Sequence, residues 1–186
     1  MANLKEIRTR IASFQSTMQI TSAMKMVSAA KLKRAQDAII QMRPYANKLQ
    51  EILMNVSSSL DGSDGKFSQQ REVKNVLVIS IASNRGLCGA FNNSVVTEAK
   101  AVISAHPDAD VKVLSISKKT FEIIKKWPNH FTGDYGKNLF EIWNELTFDA
   151  TAEIAQRVMD EFAAGKWDKV MICYNRFKNA AVQVAT

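Results

Sequence analysis

Stepping alternately by three and four residues through the first sixty positions picks out Leu4, Ile7, Ile11, Phe14, Met18, Thr21, Lys25, Ser28, Leu32, Ala35, Ile39, Met42, Ala46, Leu49, Leu53 and Val56. Thirteen of these sixteen are apolar, and the three that are not, Thr21, Lys25 and Ser28, are consecutive. A repeat averaging about 3.5 residues is the seam of a long helix coiled left-handedly around a partner. At ~1.5 Å per residue such a helix reaches roughly 80 Å. Pro44 lies inside the pattern, where an interior proline costs on the order of 3 kcal/mol. The stripe keeps its phase across it through Met42, Ala46 and Leu49, which predicts a bend at Arg43 rather than an end. The pattern stops at Ser57-Ser58-Ser59 and is followed by the turn-rich Asp61-Gly62-Ser63-Asp64-Gly65. The expected organisation is a shaft helix over 1–59, a linker over 60–72 and a separate domain over 73–186.

Beyond the linker the periodicity changes. Asn75–Ala82 (NVLVISIA) is a short, apolar, β-branched run, the signature of a strand buried on both faces. Phe91–Ala105 reads as a helix and Val111–Ser117 as a second strand. Lys118–Trp127 reads as a helix closed by Pro128, Asn138–Trp143 is ambiguous, and Thr151–Ala164 reads as a helix stopping at Gly165. Lys169–Asn175 is a third strand and Ala180–Ala185 a fourth. Strands alternating with helices predict an α/β fold, a doubly wound, Rossmann-like sheet.

No later segment repeats a long 3.5 pattern; Ile142, Leu146, Ala150, Ile154, Val158 and Phe162 form only a short one, needed by the sheet. The stripe therefore predicts a partner helix on another chain or on a piece of this protein beyond Thr186. The chain also closes on an apparent strand with no terminating element, and truncation is expected.

Charge adds a second asymmetry. The formal net charge is +7, and residues 1–59 carry nine basic side chains (Lys5, Arg8, Arg10, Lys25, Lys31, Lys33, Arg34, Arg43, Lys48) against three acidic ones (Glu6, Asp37, Glu51). The arm is basic and the body close to neutral, which predicts an acidic partner: nucleic acid, an anionic lipid surface or an acidic protein segment. Nucleic acid is the weaker choice, because the arm's aromatic residues are only Phe14 and Tyr45 and its stripe suits a helix rather than a groove. Apolar runs of a few residues, as at Val76-Leu77-Val78-Ile79, are too short to span a membrane. The charged, amphipathic N-terminus does not resemble a signal peptide; its basic, acid-poor start suggests an organelle transit peptide only weakly, since the stripe continues past any cleavable length. Cys88 and Cys173, in a reducing compartment, are not expected to form a structural disulfide. With His106 and His130 they show no zinc-ligand spacing.

Two stretches invite a chemical reading. The loop Ser83-Asn84-Arg85-Gly86-Leu87-Cys88-Gly89-Ala90-Phe91-Asn92 lies between a strand and a helix, where dinucleotide and phosphate sites sit. It lacks both G-x-G-x-x-G and G-x-x-x-x-G-K-[ST], and no acidic residue closes the second strand to hold a ribose. Glycines serving a tight turn explain it more simply. A nucleophilic Cys88 would want a histidine base, and neither His106 nor His130, read as lying in a loop, has an evident route to it. No paired carboxylates mark a strand end for acid–base work. The other stretch is Thr21-Ser22-Ala23-Met24-Lys25-Met26-Val27-Ser28-Ala29-Ala30, where the stripe fails. It fits a weak section of coiled coil, or a smooth, methionine-bearing surface that meets more than one partner geometry.

The N-terminal LKEIRTRIASFQSTMQITSAMKMVSAAKLKRAQ resembles the start of γ subunits of F-type ATP synthases, with their I-x-x-I-x-S…T…I-T-x-A-M-x-M-V-A-A-x-K run. SNRGLCGAFN is similar to that family's [ST]-[DN]-R-G-L-C-G-[GA]-[FL]-N signature, and Arg43-Pro44-Tyr45 also fits. The resemblance covers the whole chain. It implies a central rotor shaft whose N- and C-terminal helices form an antiparallel coiled coil inside a ring of alternating α and β subunits. A Rossmann-like foot domain would lie near the ε subunit and the membrane c ring, at the cytoplasmic face of the bacterial inner membrane. It implies no cofactor and no catalytic site in this chain, catalysis residing on β. Met24, Lys25 and Met26 match the shaft stretch facing an acidic lever segment of β, and Arg85, Gly86, Leu87, Cys88 and Gly89 the loop approaching the same lever. The expected seam residues are Leu4, Ile7, Ile11, Phe14, Met18, Leu32, Ile39, Met42, Leu49 and Leu53.

Overall fold

In the computed structural model, helix α1 runs from Leu4 to Ser59, 56 residues, and continues through Arg43 and Pro44 without interruption. That length corresponds to about 84 Å. The structure describes residues 3–59, 65–67, 71–133, 135, 139–144, 146–179 and 182–186. The chain divides into two units, Met1–Asp61 and Gly62–Thr186. Most of the linker expected over 60–72, including Asp61 to Asp64, lies outside the described residues.

Within the first unit, Asn3 starts the helix. Its Oδ1 accepts from Lys5 N at 3.3 Å and its carbonyl from Glu6 N at 2.8 Å, with Glu6 placed in the first turn where the helix dipole favours an acid. Thr9, Thr17 and Thr21 return their hydroxyls to the carbonyl four residues back, at 3.0, 3.0 and 2.7 Å, so these polar groups on a bare helix are satisfied locally. Every described side chain of α1 is exposed except Gln36 and Ile39, which are half-buried. No helix among the described residues is long and apolar enough to cross a membrane.

The second unit comprises β1 (Asn75–Ile81), α2 (Phe91–Ala105), β2 (Asp110–Ser115), α3 (Lys118–Ile124), β3 (His130–Phe131), a 3₁₀ turn (Glu141–Trp143), α4 (Phe148–Ala163), β4 (Lys169–Phe177) and β5 (Gln183–Ala185). The sheet order is β3-β2-β1-β4-β5, parallel except for β5. This is the α/β, Rossmann-like arrangement. Central β1 shows why an unbroken apolar run was needed. Val76 and Val78 point into a core with α2 and α3, including Val95, Ala99, Val113 and Ile124; Leu77 and Ile79 point into the opposite core with Leu114, Val158 of α4 and Trp167. On that second face the Glu161 carboxylate accepts from Tyr135 Oη, from Trp167 Nε1 at 2.7 Å and from Lys166 Nζ at 2.6 Å.

Local details depart from the sequence reading. Helix α3 ends at Ile124, not Trp127, because the chain tightens before Pro128: Trp127 N donates to Ile124 O at 2.8 Å. Helix α4 begins at Phe148, three residues earlier than expected, since the Thr147 hydroxyl accepts from Ala150 N and caps it. His130 belongs to edge strand β3 rather than a loop. Two residues are too few for any periodicity; pairing beside Val113 N→Asn129 O (2.7 Å) makes the strand. Of the expected fourth strand, Gln183–Ala185 forms β5, while Ala180 and Ala181 lie outside the described residues, as does Asn138 of the ambiguous segment.

Candidate functional site

The loop from Ala82 to Ala90 leaves the carboxyl end of β1 and rests on a patch of buried hydroxyls. Ser80, Ser115, Ser117 and Thr120 are all buried. Ser80 Oγ reaches Ser115 Oγ at 3.1 Å, Ser117 Oγ and Thr120 Oγ1 are hydrogen-bonded at 2.6 Å, and Ser117 Oγ accepts from Ala82 N at 3.0 Å. The last contact ties the base of the loop to the start of α3. Buried hydroxyls are tolerable because each has a partner.

Two asparagines set the loop's path. Asn84 Oδ1 accepts from Lys118 N at 2.8 Å and its Nδ2 donates to Phe140 O at 2.6 Å. Asn92 Oδ1 accepts from Ser83 N at 3.0 Å, while its Nδ2 donates to Arg85 O at 3.0 Å and Cys88 Sγ at 3.1 Å. Between these anchors the backbone turns left-handed twice, at Leu87 (φ +58°) and Gly89 (φ +60°). Gly89 needs that freedom; Leu87 adopts it against the preference of an L side chain. Leu87 is fully exposed, and Arg85 is exposed with no partner for its guanidinium among the described residues. Lys119 passes beside the loop: its Cε lies 3.8 Å from where a Cβ on Gly86 would stand, and its ammonium is 2.8 Å from Glu122.

The arrangement suits contact better than chemistry. Asn175 Nδ2 of β4 donates to Phe91 O at 2.6 Å across the crevice where sheets of this order take nucleotides. Phe91 N turns back to Cys88 O at 3.3 Å instead of facing an anion. Cys88 is a free, exposed thiol whose neighbours are Asn92 and Arg85 O. The histidines are engaged elsewhere: His106 Nδ1 meets Val102 O at 2.9 Å, and His130 stacks edge-on to Phe121 at 5.3 Å. Cys173 is buried in β4, its thiol pushed up to about 11 by burial and then by the Glu98 charge. A cavity of about 300 Å³ opens on the α4 face, bounded by Ile79, Ile116, Trp143, Ile154, Ile172 and their neighbours; Thr151 is the polar residue lining it, and no titratable group does.

The structure thus gathers Arg85, Gly86, Leu87, Cys88 and Gly89 into one projecting tip. Met24, Lys25 and Met26 lie on one turn of α1, all exposed. The anchors Asn84 and Asn92 and the hydroxyls of Ser80, Ser115, Ser117 and Thr120 were not singled out from sequence. Asparagines bracketing a glycine-bearing loop carried a readable signal, since their side chains habitually bond nearby backbone. The serines carried little, because Ser80 meets Ser115 and Thr120, and Ser117 meets Ala82, across 35 to 40 residues, while the Ser117–Thr120 pair is local.

Known proteins share both units. The ATP synthase gamma chain of Flavobacterium psychrophilum is 54% identical over 185 residues, 99% of this chain and 63% of the relative. That of Flavobacterium johnsoniae is 51% identical with the same coverage, and that of Chlorobaculum tepidum 40% identical over 96% of this chain and 62% of the relative. The chain spans a little under two thirds of the length of these relatives. Among solved structures, a chain of the Euglena gracilis mitochondrial ATP synthase rotor, in rotational state 1, shares the fold with a TM-score of 0.58 at 22% identity, over 96% of this chain and 59% of that one. With the family model described as ATP synthase matching residues 3–186, helix and sheet unit together, this chain belongs to the ATP synthase family.

Proposed function

We propose that the chain serves as the central rotor-stalk (γ) subunit of an F-type ATP synthase. In this role it couples ATP synthesis and hydrolysis on β subunits to proton-driven rotation of the membrane c ring, and carries no catalytic site itself. The observation that carries the reading is the match of residues 3–186 to one family, with 54% identity to a gamma chain. The partners are the α and β ring, the ε subunit and the c ring. The location is peripheral, on the cytoplasmic face of the bacterial inner membrane.

Helix α1 would be one strand of the shaft. Leu4, Ile7, Ile11, Phe14, Met18, Leu32, Ile39, Met42, Leu49 and Leu53 would pack on a second helix. Each such side chain gives about 1.5–3 kcal/mol when buried, whereas an exposed ion pair gives about 0–1 kcal/mol. The seam therefore holds the shaft together, and Lys25 and Arg85 can meet a carboxylate and release it as the shaft turns. The acidic lever of β is the proposed partner of Met24, Lys25 and Met26 and of Arg85 to Gly89.

The test mixes α and β subunits with this chain, and with the chain extended by the segment through which its relatives are longer. Assembly of the extended form into an ATP-hydrolysing complex, with one copy per three β subunits, is expected. With that complex joined to its membrane sector, Lys25→Glu should alter the coupling between ATP hydrolysis and proton movement more than assembly. Failure of both forms to assemble would refute the reading, and unaltered coupling in Lys25→Glu would remove the lever contact.

A further inference from the structure

Helix α4 ends among aromatic rings and one carboxylate that the stalk reading does not use. Phe131 and Trp167 meet edge to face, their centroids 5.3 Å apart and their planes at 82°, so that two aromatic walls make a corner. Tyr135 packs edge-on against Phe131 at 6.1 Å. Gly133 lets these two rings close, since a Cβ there would stand 2.6 Å from the Tyr135 ring and 2.8 Å from that of Phe131. The Glu161 carboxylate completes the corner. Two neutral donors fix it, Tyr135 Oη and Trp167 Nε1 (2.7 Å), and they leave its charge unbalanced. It lies in the last turn of α4, where the helix dipole adds negative potential. Lys166 enters from the turn that Gly165 makes at φ +77°. Its ammonium stands 5.0 Å from the Phe131 centroid, 5.4 Å from that of Trp167 and 2.6 Å from Glu161 Oε1. Elsewhere among the described residues a lysine meets one ring, Lys100 over Trp127 at 5.3 Å and Lys125 over Phe121 at 5.9 Å. Trp167 is buried, whereas the Lys166 side chain remains 45% exposed and can swing out. The walls would outlast its departure, because each ring and the carboxylate is held by other contacts.

We infer that Phe131, Trp167 and Glu161 form a cation cage, that Lys166 is its tethered occupant, and that its class of free ligand is the small quaternary ammonium ion. Aromatic faces attract a weakly hydrated cation through their quadrupoles, and more strongly where water is excluded. Methyl groups around an ammonium fill the space between two walls and bury apolar area there, which a strongly hydrated sodium ion does not. The tether makes Lys166 a built-in competitor, so an outside ligand enters only when the lysine swings to solvent. The cage owes nothing to the stalk contacts proposed above.

The experiment titrates tetramethylammonium chloride into the full 186-residue chain and into its Lys166→Ala variant. Sodium chloride at matched ionic strength and tert-butanol, a neutral molecule of similar shape, serve as controls. The readout is the indole N–H resonance of Trp167, told apart from those of Trp127 and Trp143 through Trp127→Phe and Trp143→Phe. In Lys166→Ala this resonance should move and saturate in the millimolar range, at a concentration roughly tenfold or more below that required by the parent. Neither control should move it. Lys166→Met, whose neutral side chain still fills the corner, should bind no tighter than the parent. Glu161→Gln added to Lys166→Ala should weaken binding several-fold, and unchanged affinity would remove the carboxylate from the site. If Lys166→Ala does not fold by itself, tetramethylammonium should restore its folded spectrum where sodium chloride does not. An unmoved Trp167 resonance in folded Lys166→Ala, an equal response to tert-butanol, or failure of the ammonium ion to refold an unfolded variant would overturn the cage.

Discussion

Removing one oxygen atom at Ser117 should loosen the loop that carries the proposed contact. Ser117 is fully buried, and its Oγ is the acceptor for Ala82 N at 3.0 Å, where β1 gives way to the loop. In Ser117→Ala the shape of the site barely changes, so the cavity contribution is small. Thr120 keeps its own donation to Ser117 O at 3.1 Å, but the buried Ala82 amide loses its acceptor. Leaving a buried donor unmade costs about 1–3 kcal/mol. For a unit the size of Gly62–Thr186, about 2 kcal/mol lowers the unfolding midpoint by roughly 6–10 °C. Trp127, Trp143 and Trp167 all belong to this unit, so their fluorescence follows its unfolding without contribution from α1. Hydrogen exchange at the Ala82 amide should accelerate in step. Ser94→Ala, which removes a hydroxyl whose solvent-exposed bond merely returns to Ala90 O at 2.8 Å within α2, should shift stability by less than about 0.5 kcal/mol. Equal stabilities for the two variants would refute the claim that the hydroxyl patch supports the loop.

Two further outcomes follow from buried and half-buried groups. Burial pushes the Glu161 carboxyl up, but hydrogen bonds from Lys166, Tyr135 and Trp167 outweigh it and hold the group below its ordinary value of 4.5. A depressed carboxyl contributes stability that is complete above the ordinary value and lost as pH falls through the folded one. Resistance to urea should therefore fall on the acid side of about pH 4.5, and Glu161→Gln should flatten that slope; an identical slope would refute the assignment. In cysteine labelling, Cys88 should react with a maleimide in the native chain, while Cys173 should react only at the rate of unfolding; native labelling of both would contradict the placement of Cys173.

What a single chain pattern could determine here was whatever repeats locally. The 3.5-residue stripe announced α1, and the unbroken β-branched run at Val76–Ile79 announced a strand covered on both faces, because helix and strand periods act over a few neighbours. Phe91–Ala105 was delimited to the residue, since its apolar spacing and its flanks both changed there. The motif SNRGLCGAFN pointed to the loop and to a family, but not to its shape. The reversal of β5, the two-residue β3 and the Thr147 cap came only with the folded chain. So did the role of the serines at 80, 115 and 117, which earn their place through partners more than thirty residues distant. Leu87 belongs to the same class. In the sequence it stands beside Cys88 between Gly86 and Gly89; the local bonds of Asn92 and the distant ones of Asn84, to Lys118 N and Phe140 O, together hold it outward on a strained backbone, because strain of that kind survives only where surrounding contacts outweigh local preference.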